Sequence, residues 1–219
     1  MISLIKKDLI LAFKINIFAV IYAIFISTTG LIGNNLLIAN FLYVLSIIML
    51  TFIIVIYTNG YDDKYKSQIV LNSFPIDRRN IVRSKYITLI IFILISSGAI
   101  LAFTNILPII FTIDGGTGAN IHAVIFASNI LLLFYAIYYP FYFKVGEGLR
   151  SFNTVLWIFM MMGPALLGKL FKFLDKKGLL VKLMNVNLDK INLYLLGITI
   201  VIYYVSLQIS KKIYMKREF

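Results

Sequence analysis

Long apolar runs alternate with short polar ones along the whole chain. Six stretches of 18 or more residues contain no Lys, Arg, Asp or Glu: Ile15–Ile32, Leu36–Tyr57, Tyr86–Ile110, Ile121–Phe143, Ser151–Gly168 and Ile191–Ile209. A helix of roughly 20 apolar residues crosses a hydrocarbon core of about 30 Å. Backbone polar groups inside lipid must be paired, so each run has to be a helix or part of a closed barrel. The runs lack the apolar-out, polar-in alternation of barrel strands. The pattern predicts an all-α, polytopic integral membrane protein with six transmembrane helices. The composition agrees, with 61% hydrophobic and 14% charged residues. Six spans in 219 residues leave no room for a separate soluble domain, so residues 1–219 read as one transmembrane domain. No small-residue cleavage site follows the first run at a suitable distance, and that run is expected to stay as a helix.

The charge pattern orients the chain. Lys and Arg number three before the first run, six between Thr58 and Lys85, two at Lys144 and Arg150, six between Lys169 and Lys190, and four in the C-terminal tail. Six spans with both termini cytosolic put fifteen inside and six outside, in line with the positive-inside rule. If Ser151–Gly168 did not span, the division would be seventeen to four. That rival has the better charge balance. It leaves 18 uncharged residues, with Trp157 and three Met, outside the core. The net charge of +12 belongs to loops between spans and points to anionic headgroups; nucleic acid is not expected as a partner.

Three polar segments stand out. Residues 1–14 mix Ile2, Ile5, Leu9 and Phe13 with Lys6, Lys7 and Asp8, as in an interfacial helix on membrane lipids or a simple basic topogenic start. Residues 61–85 form a cytosolic hairpin. Asp62-Asp63 is placed at the start of a short helix through Leu71, Pro75 breaks it, and Asp77 caps a second helix that continues into the third span. Phe74 and Ile76 would lie at an apolar tip suited to membrane contact or to a groove on another protein. Residues 169–190 alternate Lys with Phe, Leu, Val and Met, as expected of an external amphipathic segment along the membrane.

Catalytic chemistry is scarce. Cysteine is absent and His122 is the single histidine, so neither a thiolate nor a multi-histidine metal site can form. Gly163 to Lys169 fits most of the phosphate-loop spacing. Leu170 follows instead of Ser or Thr, and no strand precedes it. No apolar run contains a carboxylate, which argues against ion-coupled carriage and intramembrane proteolysis. Asn40, Asn105 and Asn129 are intramembrane amides that fit helix pairing or a translocation path. Ser96, Ser97, Gly98, Ala99 and Ala102 make a small-residue face for close packing. The chain is no enzyme on this reading and binds no cofactor or metal itself. A permease driven by a separate ATPase suits these features.

A resemblance supports the same reading. Leu71-Asn-Ser73-Phe74-Pro75-Ile76-Asp-Arg78-Arg79-Asn-Ile81-Val82-Arg-Ser-Lys85-Tyr86 resembles the stretch after the second helix in small type-two ABC exporter permeases of bacteria. Phe74 stands where those chains carry Leu. Tyr139-Pro140-Phe-Tyr-Phe-Lys144-Val-Gly146-Glu147-Gly-Leu-Arg150 is similar to that family's cytosolic turn after the fourth helix, and Leu4-Ile-Lys-Lys7-Asp8-Leu9 to its opening. The resemblance implies six helices, an N-terminal interfacial helix and a cytosolic coupling helix between helices two and three. Leu71, Ser73, Phe74, Pro75, Ile76, Arg78 and Arg79 would then face the ATPase. Lys144, Gly146, Glu147 and Arg150 would form a second cytosolic contact. The implied partners are two ABC-type ATPase subunits, carrying ATP and Mg, and a second permease half. By size the chain is similar to the membrane subunits of the phenol-soluble modulin exporter of Gram-positive bacteria. That implies export of amphipathic peptides or hydrophobic compounds from the bacterial cell membrane. The alternative is a non-transporting assembly or immunity protein.

Overall fold

The computed structural model describes residues 1–13, 21, 25, 28–31, 36–74, 76–111, 118–146 and 188–217. Six helices organise them: α1 (Ile2–Phe13), α2 (Leu36–Lys64), α3 (Ser67–Ser73), α4 (Arg78–Phe111), α5 (Ile121–Val145) and α6 (Leu188–Met215). No strand occurs among the described residues. Four helices are long and apolar enough to cross a membrane: Ala39–Lys64, Arg78–Ile110, Ile121–Val145 and Lys190–Met215. They coincide with four of the six apolar runs. Most of Ile15–Ile32, all of Ser151–Gly168 and most of the 169–190 segment lie outside the described residues.

One boundary differs from the sequence reading. Asp62 and Asp63 do not open a hairpin helix but end α2, which runs on past the apolar run to Lys64. The chain reverses at Lys66, whose φ of 47° is left-handed, and α3 follows. The helix can continue because Asp62 is buried against cations instead of needing water. At the other side of the hairpin Asp77 does cap α4. Its Oδ1 accepts the Arg79 N–H at 2.9 Å and its carbonyl accepts the Asn80 N–H at 2.8 Å.

The bundle core is rich in tyrosine. Tyr43, Tyr86, Tyr135, Tyr139 and Tyr142 are fully buried, and the ring of Tyr86 lies 4.8 Å from those of both Tyr139 and Tyr203. Buried hydroxyls need partners, and neighbouring helices supply them to Tyr86 and Tyr203, though not to Tyr135. Tyr203 donates to the Tyr86 carbonyl at 2.9 Å, and Tyr86 Oη lies 2.7 Å from Ser206 Oγ and 2.8 Å from Ser210 Oγ. Pro140 sits inside α5 and cannot donate the usual helical hydrogen bond to the Ala136 carbonyl. Ser206 of α6 donates to that carbonyl instead, at 2.6 Å. The proline is thus accommodated by a neighbouring helix, as membrane helices allow.

α5 and α6 run in the same direction. Asn192 near the start of α6 donates to the His122 carbonyl at the start of α5, while Tyr214 near the end of α6 packs on Phe143 near the end of α5. α1 turns Leu4, Asp8 and Ala12 inward and leaves Ile2, Ile10 and Phe13 exposed.

Ser206→Ala should destabilise the bundle by about 1–2 kcal/mol, because it strips a buried carbonyl of its substitute donor and a buried phenol of one of its two partners. Adding Pro140→Ala should restore most of the loss, since a helical N–H then returns to Ala136. Thermal unfolding in detergent checks this. A double variant no more stable than Ser206→Ala would refute the compensation.

Candidate functional site

The polar end of the bundle is built around three buried charges and a fourth, Lys7, that is half-exposed. Lys85 Nζ, on the second turn of α4, lies 2.6 Å from Asp62 Oδ2 and 3.1 Å from Asp8 Oδ2. Lys7 Nζ lies 2.5 Å from Asp62 Oδ1 and 3.3 Å from Asp8 Oδ1. Asp8, Asp62 and Lys85 expose only 2%, 4% and 8% of their surface. Two cations and two carboxylates neutralise one another, so a charge set that lipid would reject is tolerated. The cluster joins three helices: Lys7 and Asp8 come from α1, Asp62 from α2 and Lys85 from α4. The Lys7-Asp8 pair and Lys85 belong to two separate stretches of the family resemblance, and the fold brings them into contact. Sequence reasoning missed the cluster. Its signal was available in the placement of Asp8 and Asp62, two of only nine acidic residues, beside apolar runs.

The hairpin projects from this base. Phe74 is 56% exposed, and Ile69, Val70 and Tyr65 are exposed beside it. These three were not among the residues expected at the tip; a helical spacing of four between Val70 and Phe74 is the signal that joins them. Ser73 is exposed, with its hydroxyl bonded to the Val70 carbonyl at 2.7 Å. Leu71 and Ile76 turn inward, half-buried against the core, so Ile76 is not part of the exposed tip. Pro75 lies outside the described residues. Arg79 is exposed, with Nε 3.3 Å from Met215 Sδ. Arg78 is half-buried and donates to the Arg217 carbonyl at 3.0 Å, while Asn72 donates to Tyr214 Oη at 3.0 Å.

The second expected contact is partly visible. Lys144 is exposed at the end of α5, and Gly146 is buried with a φ of 65°. Glu147 and Arg150 lie outside the described residues. The three amides of the suggested path are not brought together. Asn129 is buried between α5 and α6, where it donates to Asn192 Oδ1 at 2.6 Å and accepts from Thr199 Oγ1 at 3.1 Å. Asn105 donates to the Leu101 carbonyl of its own helix at 2.8 Å. Asn40 Oδ1 on α2 is buried without a hydrogen-bond partner. Asn129 thus does the work of helix pairing. No group of acidic, His or Cys side chains suited to a metal occurs among the described residues.

Four apolar membrane-length helices and a charge-locked polar end define a multi-pass membrane protein. The chain belongs to the ABC-2 family of transporter proteins, whose family model matches residues 3–215. No match was found among curated proteins or among solved structures. Membership makes the chain a membrane transport subunit, of a family that associates with ABC-type ATPases.

Lys85→Met should destabilise the protein by about 3–5 kcal/mol, because it leaves two buried carboxylates sharing the single half-exposed cation of Lys7. Adding Asp8→Asn to Lys85→Met should recover a large part, because Lys7 and Asp62 then remain as one matched pair. Denaturant unfolding in nanodiscs measures both. A double variant no better than Lys85→Met would mean that the cluster does not act as an ion-paired unit.

Proposed function

We propose that this chain is one permease half of an ATP-driven exporter, and that α3 and the start of α4 receive the stroke of its ATPase. The carrying observation is the exposed Phe74 on a hairpin whose second arm is the membrane helix α4 itself. A tip joined directly to a stiff span can pass force into the membrane. Phe74, with Ile69 and Val70, would enter an apolar groove on the ATPase, where each buried side chain contributes about 1.5–3 kcal/mol. Arg79 would meet carboxylates at the rim and set register. Arg78 serves the chain's own C-terminal end instead. Two ABC-type ATPase subunits with ATP and Mg, and a second permease half, complete the transporter on this reading. Lys144 and the turn at Gly146, Glu147 and Arg150 supply its second cytosolic contact.

Six spans with both termini cytosolic remain the favoured topology. α1 is docked at the Asp62 end of α2, while the ring of Tyr43, about 28 Å away along that helix, fills the space where Gly30 would carry a Cβ. Gly146 and Leu188 likewise mark opposite ends of the parallel helices α5 and α6. A chain that joins each pair has to pass between faces, which supports spans at the first and fifth apolar runs. The ion pairs of α1 and the Arg78–Arg217 bond bring both termini to the hairpin's face. Among the described residues that face also carries every Lys and Arg except Lys190, which favours the cytosol. The cargo class we favour is amphipathic peptides or hydrophobic compounds, by the resemblance to the phenol-soluble modulin exporter. A non-transporting assembly or immunity role is the alternative, and it predicts no ATPase partner.

Phe74→Ala with Arg79→Glu, keeping Arg78, should weaken ATPase binding about tenfold or more while the membrane part stays folded. Co-purification and stimulated ATP hydrolysis in nanodiscs check it. Binding and stimulation equal to the parent would remove the hairpin from the coupling role.

A further inference from the structure

The last residues of α6 and those just after it touch both proposed cytosolic contacts at once. On one side the Arg217 carbonyl accepts from Arg78, and Tyr214 Oη accepts from Asn72, so the hairpin is held at two points. On the other side Arg217 donates through a guanidinium N–H to the Phe143 carbonyl at 3.3 Å, and Tyr214 packs edge-on against the Phe143 ring at 5.3 Å. The guanidinium occupies the space in which a side chain at residue 146 would begin. Gly146 is required twice here: its φ of 65° is left-handed, and any Cβ would meet the Arg217 guanidinium. A planar fork with several donors suits a site that must reach a helix-end carbonyl beside a bare glycine, and Lys cannot reproduce it.

Resting on the coupling reading above, we infer that Tyr214–Arg217 is a clamp that makes the hairpin and the end of α5, from Phe143 to Gly146, one rigid receiver, with Arg217 as its positioning residue. The clamp touches neither substrate nor nucleotide. Its effect is that a push on Phe74 moves the end of α5 and the end of α6 together, instead of bending the hairpin alone.

The chain has no cysteine, so Ser73→Cys and Lys144→Cys, both at exposed sites, accept nitroxide labels cleanly. Electron–electron distance measurement on the permease in nanodiscs, without ATPase, should give one narrow distribution for the parent background. Arg217→Ala should broaden it, Gly146→Ala should do the same from the opposite side, and Arg217→Lys should fall between. In the chain without labels and with the ATPase added, Arg217→Ala should keep binding within about twofold yet lose stimulated turnover about tenfold. A merely structural role would lower both together. An unchanged distance distribution in Arg217→Ala overturns the clamp. A broadened distribution with parental turnover overturns its part in coupling. If instead the ATPase binds equally well without Phe74 and Arg79, the coupling reading falls, and the distance change decides the clamp alone.

Discussion

The fold depends on bringing two carboxylates and two ammonium groups together at one edge of the membrane. Asp8, Asp62 and Lys85 are buried, and none of the three could be buried alone. Lys85 on the second turn of α4 requires Asp62 and Asp8, and Asp62 requires Lys7 as well. That mutual need fixes three things that apolar packing leaves open. It sets the depth of α1 beside the bundle, since the apolar packing of Leu4 and Ala12 is non-directional while Lys7 and Asp8 need particular partners. It extends α2 beyond its apolar run. It sets the register of α4 against α2. Buried ion pairs are weak contributors to net stability, because desolvation offsets much of the attraction. Their value here is geometric: a shift of one turn in any of the three helices strands a charge.

A second layer of polar bonds transmits that registration across the bundle. Tyr86 follows Lys85 directly, and its carbonyl and hydroxyl are both bonded to α6. Ser206, one of its partners, also satisfies the carbonyl freed by Pro140 in α5. The cluster on α1, α2 and α4 is therefore tied within one residue to the pairing of α5 with α6. Tyrosine suits this work, because its ring packs like a core residue while its hydroxyl reaches a neighbouring helix.

Periodicity carried the helical class, four of the spans and the Asp77 cap, because lipid admits few backbone solutions and each leaves a plain mark in the sequence. The partner of a buried charge leaves no such mark. Lys7 and Lys85 look like ordinary basic flanks of apolar runs, and only the fold reveals that they share carboxylates from residues 8 and 62. The end of α2 was misplaced for the same reason, since a pair of aspartates reads as a helix start until its cations are known. Ile76 read as exposed because it lies in the short link between α3 and α4, where no helical spacing tells which side meets the bundle. Gly146 was visible as a motif residue, but its cause was not, because the group it accommodates lies far along the chain at Arg217.

The position of the locked residues has a mechanical consequence under the proposed coupling role. Lys85 and Tyr86 hold α4 by ion pairs on one side and hydroxyl bonds on the other, so the helix is pinned there. From Arg78 to this pin is about 10 Å of helix, and from the pin to Phe111 about 39 Å, at 1.5 Å per residue. A stiff helix pivoting at that point turns a small displacement of the hairpin into one roughly four times larger at the far face, by the ratio of those arms. Pro108 lies near the far end, beyond most of the long arm, so a kink there would not shorten the lever appreciably. A pivot placed in mid-membrane would give no such gain. Burying charge at the polar edge, where desolvation is least severe, thus puts the pivot close to the tip that would receive the push.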